Sequence, residues 1–201
     1  MIPTIRTGSL LKITKQSDLD YGDIVVFNFD GRTDDDASEE IREYRKKTGA
    51  DKIFEIHGPL VSRIVGLPGD SIAVEKEVCI INGKKNKHRL IGKTVPDEDL
   101  EEFIKDLIFE HEEFLPNGKN IRIYRFELTD EYFKKRDYYK STNARDYKFP
   151  YDDMDAIKIP GNHYFLMGDF RSDAIDSRKI GTISREQIFG KVVKIKPPKK
   201  K

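Results

Sequence analysis

Ser62 and Arg63 place one hydroxyl and one guanidinium inside an otherwise apolar run, Pro59 to Val65. A serine hydroxyl becomes a nucleophile only with a base beside it, whereas a guanidinium keeps its proton and can only bind or brace. Burying Arg63 unpaired would be costly, so the run predicts an acidic partner elsewhere in the chain. A supply of acids stands in the segment Gly168 to Gly181, where Asp169, Arg171, Asp173, Asp176 and Arg178 alternate in sign. The segment follows the apolar stretch Tyr164 to Met167 and is bracketed by glycines. It therefore reads as an ion-paired loop rather than a solvated surface, with Arg63 a candidate participant.

The other reactive side chains are sparse. His57, His88, His111, His163 and Cys79 show no metal-ligand spacing, so no metal site and no cofactor are implied. His88 and His111 are expected to face solvent, and His163 to sit in a turn. Cys79, between Val78 and Ile80, reads as a buried, inert thiol without an internal disulfide partner.

The elements that must position these groups are mostly strands. Pro59 to Val65 ends in Gly66-Leu67-Pro68-Gly69-Asp70, where Pro presets φ and Gly69 supplies the positive φ of a type II turn. Ile24 to Phe29, Ser71 to Glu75 and Glu77 to Ile81 read as strands, the last closed by the hairpin signal Asn82-Gly83. Tyr164 to Met167 and Ile188 to Ile195 complete an antiparallel β body over residues 1–86 and 156–201.

Between its parts lie two segments of another character. Residues 30–53 form a charged surface insertion, with Asp36 and Glu39 in capping-box spacing for a short helix reaching Lys47. Residues 87–155 read as an inserted mixed α/β lobe. Leu100, Phe103, Ile104, Leu107 and Ile108 at helical spacing predict a helix from Pro96 to Phe114. A strand is expected from Ile121 to Leu128, a polar helix from Thr129 to Lys140, and loop from Ser141 to Asp155.

Composition narrows the function classes. In 201 residues, 37 Lys and Arg balance 36 Asp and Glu to a net charge of +1, which argues against a dedicated nucleic-acid binder. Charged residues reach 36%, well above the roughly 25% of ordinary globular chains, so a modest core carries large solvated insertions. No apolar run approaches the ~18 residues of a membrane span, and no secretory signal is present. The lysine-rich end, Lys194 to Lys201, reads as a solvated tail.

Three segments, in order, resemble boxes of the type I signal peptidases. Met1-Ile2-Pro3-Thr4-Ile5 is similar to that family's Ser-Met-x-Pro-Thr-Leu, without its serine. Ser62 to Asp70 resembles Lys-Arg-Val-x-Gly-Leu-Pro-Gly-Asp, and Gly168 to Arg178 resembles Gly-Asp-Asn-Arg-x-x-Ser-x-Asp-Ser-Arg. The strands Gly22 to Phe27 and Ile81 to Lys84 also match, so the resemblance covers the β body and leaves the insertions outside it.

The resemblance implies a membrane-bound serine endopeptidase that removes secretory signal peptides, with a lysine as general base. Its fold would be a signal-peptidase-like antiparallel β body. Its location would be a membrane surface, reached through an anchor absent from this chain, with the body outside the cytoplasm. Partners would be signal peptides or other extended peptides along a strand edge, Met1, Ile2 and Pro3 contributing, and no nucleic acid.

The carry-over is uneven. The nucleophilic serine would stand immediately before Met1; the lysine base falls on Ser62; the serine that orients the lysine falls on Ala174; the usual asparagine is Phe170. The structural members Arg63, Asp169, Arg171, Asp176, Ser177 and Arg178 are all present, and Arg63 is expected to pair with Asp176 or a neighbour. Ser62 has no useful basicity near neutral pH, and losing an activated nucleophile or its base typically costs on the order of 10⁴–10⁶ in rate. The reading is therefore a catalytically impaired relative. Its alternatives are an active, divergent signal peptidase whose anchor and serine lie outside this chain, with His57 a conceivable base, and a non-catalytic peptide- or partner-binding protein.

Overall fold

The run around Ser62 is strand β3, Gly58–Gly66, and the body is built about it. The structure, a computed structural model, describes residues 1–15, 18–29, 58–94, 108–126 and 153–198. Ahead of β3 come β1 (Leu10–Thr14) and β2 (Ile24–Phe29); after it come β4 (Ser71–Glu75), β5 (Val78–Ile81), β6 (Lys84–Lys85) and β7 (Lys87–Lys93). Then follow β8 (Ile108–Phe114), β9 (Asn120–Phe126), β10 (Met154–Lys158), β11 (His163–Met167), β12 (Ile183–Ser184) and β13 (Ile188–Lys196). The one α-helical turn among the described residues, α1, spans Ser177–Ile180. The protein is mainly β, as the strand signals led one to expect.

The strands form a six-stranded sheet, β1-β13-β2-β3-β11-β12, a four-stranded sheet, β10-β4-β5-β6, and a three-stranded sheet, β7-β8-β9. Ile64-Val65 of β3 and Tyr164 to Met167 of β11 are apolar without alternation because both faces are buried there. Ile64, Tyr164 and Leu166 enter one core with Val25, Phe27, Phe29 and Ile188. Their neighbours Val65, Phe165 and Met167 enter a second with Ile72, Val74, Cys79 and Ile81. Gly66 lies where those layers meet: a Cβ there would stand 2.5 Å from Ile159 Cδ1 and 3.0 Å from Phe165 Cβ.

The turns follow their residues. Asp70 N–H donates to the Leu67 carbonyl at 3.0 Å, and Gly69 has φ 85°, which closes the type II turn. Asn82 (φ 51°) and Gly83 (φ 75°) make the primed turn from β5 to β6. Lys76 and Glu77 adopt the same left-handed conformation between β4 and β5 without a glycine, braced by Arg125, which donates to the Lys76 carbonyl at 2.7 Å and to Glu77 Oε2 at 3.3 Å.

Three expectations need correction. Ile108 to Phe114 is strand β8 and not the end of a helix, because pairing with β7 and β9 buries Ile108, His111 and Glu113 and overrides the helical spacing. Met154 and Asp155 begin β10, paired with β4, and are not loop. His111 is buried and the His88 side chain nearly so, because both lie on that sheet rather than in solvent. The expected helices at 34–47 and 129–140, the strand's last residues 127–128, and His57 lie outside the described residues.

Candidate functional site

Arg63 finds its acid in Asp169. The guanidinium bonds the carboxylate in bidentate fashion, Nε to Oδ1 and Nη2 to Oδ2, each at 2.7 Å, with both side chains buried. Its remaining donor, Nη1, reaches the Gly22 carbonyl at 2.6 Å, which fixes the turn into β2. Thr4 closes the arrangement: its hydroxyl donates to Asp169 Oδ2 and accepts from Arg63 Nη2 at 3.1 Å. Thr4 and Ile5 also donate backbone N–H groups to the Met1 carbonyl, both at 3.1 Å. The pair thus draws together β3, the loop after β11, the turn before β2 and the segment Met1 to Ile5.

Asp176 is paired otherwise than expected. It caps α1 and accepts from Arg178 Nε at 2.9 Å and Nη2 at 2.7 Å, while its Oδ2 takes the Gly168 N–H at 2.9 Å. Arg178 Nη2 continues to the Arg171 carbonyl at 2.6 Å. Ser177 Oγ accepts the Leu166 N–H at 2.9 Å, tying α1 to β11. Ala174 packs over Gly168 so closely that a Cβ on that glycine would stand 2.5 Å from the Ala174 Cβ.

Ser62 occupies β3 opposite Val25 and is buried. No amine or imidazole among the described residues hydrogen-bonds its hydroxyl. β11 pairs only with Arg63, Ile64 and Gly66, so Gly58 to Ser62 have β2 on one side and no strand among the described residues on the other. Pro59 fits that placement, since a residue without an N–H is tolerated on an edge.

Glu113 is the functional-loop residue that the sequence did not announce. From β8 it pairs with Arg171 Nη2, both side chains fully buried, and accepts from Asn86 Nδ2 at 2.8 Å. Arg171 also donates Nε to the Gly168 carbonyl at 3.2 Å and approaches Cys79 Sγ with Nη1 at 3.7 Å. Strand β9 adds its own grip: Tyr124 N–H donates to the Asp169 carbonyl at 2.8 Å, and Phe126 N–H to Ser172 Oγ at 2.8 Å. Phe170, in place of the asparagine, is buried edge-on against Tyr124 and Phe126, with centroids 6.1 and 5.4 Å away. A charged residue at an inward position between His111 and Leu115 was the available signal for Glu113. The helical reading of the segment hid it.

Burial pushes the Glu113 carboxyl up, but the Arg171 charge, His88 and Asn86 outweigh it and hold the pKa at about 2, below its usual 4.5. The contribution to stability is therefore full above pH 4.5 and is lost as pH falls from 4.5 towards 2, about 3 kcal/mol in all. Urea denaturation at steps from pH 6 to 2.5 should show this loss in the wild type and a flatter profile in Glu113→Gln. Burial pushes the Cys79 thiol up to about 12, with Glu113 adding to it, so the inert reading of that cysteine holds. Burial lowers the Lys179 ammonium below its usual range, Asp176 opposing and Arg178 assisting.

No grouping of three or more His, Cys, Asp or Glu suited to a metal ion occurs among the described residues. No helix among them is long and apolar enough to cross a membrane.

The family described as signal peptidase, peptidase S26, matches residues 1–195. Signal peptidase I of Rickettsia conorii is 31% identical over 132 residues, which cover 65% of this chain and 42% of that protein. Signal peptidase I of Buchnera aphidicola is 25% identical over 150 residues, 67% of this chain and 48% of that protein. The chain therefore spans less than half the length of these curated relatives. A crystal structure of signal peptidase I from Enterococcus faecalis is 14% identical with a TM-score of 0.39, covering 90% of this chain and all of that one.

Proposed function

The chain belongs to the signal peptidase family, peptidase S26, and from that premise we propose that it binds extended, signal-peptide-like segments without cleaving them at an enzyme's rate. The observation that carries the reading is the joint replacement at Ser62 and Ala174. A lysine base and the serine that orients it are missing together, while the ion pairs that shape the loop, Arg63–Asp169 and Asp176–Arg178, remain. Selection for hydrolysis would keep the first pair of residues; selection for the surface alone needs only the second.

The peptide would add as a strand along Gly58 to Ser62, its backbone meeting the edge that no described strand covers and its side chains alternating to either side. Met1, Ile2 and Pro3 would border it at the end where Thr4 meets Asp169. The same reading places the body at a membrane surface on the non-cytoplasmic side. A fluorescent signal peptide with alanines before the cleavage position, titrated in detergent or lipid, is expected to bind and to stay intact. Absence of binding would overturn the reading, and so would processing at an ordinary signal-peptidase rate.

The active, divergent alternative has one observation in its favour. Lys179 in α1 is the lysine of the loop whose ammonium burial disfavours, and a desolvated lysine is what a base requires. Cleavage by a chain extended with a serine ahead of Met1, abolished by Lys179→Met, would establish that alternative.

A further inference from the structure

The proposed binding edge has two sides, and only one of them belongs to β3. The other is the segment Gly168 to Ser172, which leaves β11 where that strand stops covering β3. Two bonds lie close to home, Asp173 N–H to the Phe170 carbonyl and Arg171 Nε to the Gly168 carbonyl, each at 3.2 Å, and the single turn, Arg171 to Asp173, has no side-chain cap. The remaining holds come from outside the segment. Asp169 is held by Arg63 and Thr4, and the further outside holds on residues 169 to 172 come from the β7-β8-β9 sheet, Arg178 and the Cys79 thiol.

On that reading of the edge as a peptide site, we infer that Glu113 is a positioning residue for peptide binding, acting from β8 through Arg171 on the Gly168–Ser172 segment. Arg171 is the link between β8 and the segment. One guanidinium joins the Glu113 carboxylate, the Gly168 carbonyl and the Cys79 thiol, all in the interior. Without the carboxylate, a fully buried cation keeps no anionic partner within bonding distance among the described residues. It must move or draw in water, and Gly168 moves with it. The Tyr124 and Phe126 amides hold the same segment from β9, so the three-stranded sheet works as one cradle for it.

Cys79 makes the inference measurable. It is the chain's single cysteine, and Arg171 lies against its sulfur. Labelling by a thiol reagent under native conditions therefore reports on the guanidinium directly. Glu113→Gln is expected to speed Cys79 labelling and to weaken binding of the fluorescent signal peptide about tenfold. Saturating peptide should slow the labelling of that variant back towards the wild-type rate, since coupling between two sites is reciprocal. A purely structural role for Glu113 would let peptide slow labelling by the same factor in both proteins, whereas coupling makes that factor larger in the variant. Glu112→Gln, on the same strand but bonded to Arg89 and Asn120, should leave both readouts unchanged.

If Glu113→Gln does not fold, Ser172→Ala carries the test, because it removes only the acceptor for the Phe126 amide; peptide affinity should fall about threefold. Wild type that binds no peptide would overturn the function proposed above and this inference with it. Wild type that binds, with a folded Glu113→Gln or Ser172→Ala that binds equally well, would overturn this inference alone.

Discussion

With a serine placed immediately ahead of Met1, Ser62→Lys is expected to raise signal-peptide hydrolysis by on the order of 10⁴-fold over the same chain with Ser62 retained. The serine supplies the nucleophile, and a lysine on β3 supplies the base. Ser62 is buried opposite Val25, so a lysine there loses hydration, its pKa falls, and it can take the hydroxyl proton near neutral pH. The rate should rise with pH through that lowered pKa. Adding Ala174→Ser should raise it further by giving the ammonium a fixed acceptor on the loop. Ser62→Met, of similar length without an amine, is the control for packing and should stay inactive. A gel-based processing assay reads all four chains. An inactive Ser62→Lys chain that still binds peptide would mean that the scaffold has drifted further than one lost base. Full activity in the serine-extended chain with Ser62 would remove the impairment reading outright.

The parts of this site that were legible in the sequence are those with a local chemical cause. Pro68 and Gly69 specify a turn by their own φ preferences, and Asn82-Gly83 does the same. The apolar β3 and β11 announce two buried faces because no polar residue interrupts Ile64-Val65 or Phe165-Leu166-Met167. Arg63 announced a carboxylate, since an unpaired buried guanidinium is too costly, although it could not say which of several acids. The choice of Asp169 over Asp176 depends on register: Met167 faces Arg63 across β3 and β11, which leaves Asp169 two residues on within reach and puts Asp176 at the cap of α1.

What stayed hidden depends on pairing between distant segments. Ile108 to Phe114 carries residues that satisfy a helical period and also, less cleanly, a strand period, and only β7 and β9 decide between them. With that choice missed, Glu113 drew no notice and His111 looked like a solvated ring. Thr4 gave no sign of its bond to Asp169, because 165 residues separate them. The family resemblance marked Ser62 and Ala174 as departures, and the physics of burial marked the positions where structure is kept. Neither marked the cradle that the three-stranded sheet provides.

Arg63→Met is expected to destabilise the protein by about 3–5 kcal/mol, the usual cost of leaving one partner of a buried ion pair alone. The magnitude should lie at the upper end, because the change strands more than a carboxylate. Asp169 would retain only the Thr4 hydroxyl on its side chain, and the Gly22 carbonyl would lose its donor as well. Asp169→Leu should cost a similar amount by orphaning the guanidinium. The double variant, Arg63→Met with Asp169→Leu, should cost clearly less than the sum, since two apolar side chains of suitable volume restore packing and leave no charge behind. Urea denaturation of the four proteins gives the cycle, and simple additivity would refute the pairing. Peptide binding should separate the double variant from the wild type even where stability does not. The apolar pair can fill the interior, but it cannot hold Thr4, and through Thr4 the segment Met1 to Ile5, against the loop that follows β11. That division is what the ion pair implies: Arg63 shapes the loop after β11 whatever side chain stands beside it at position 62.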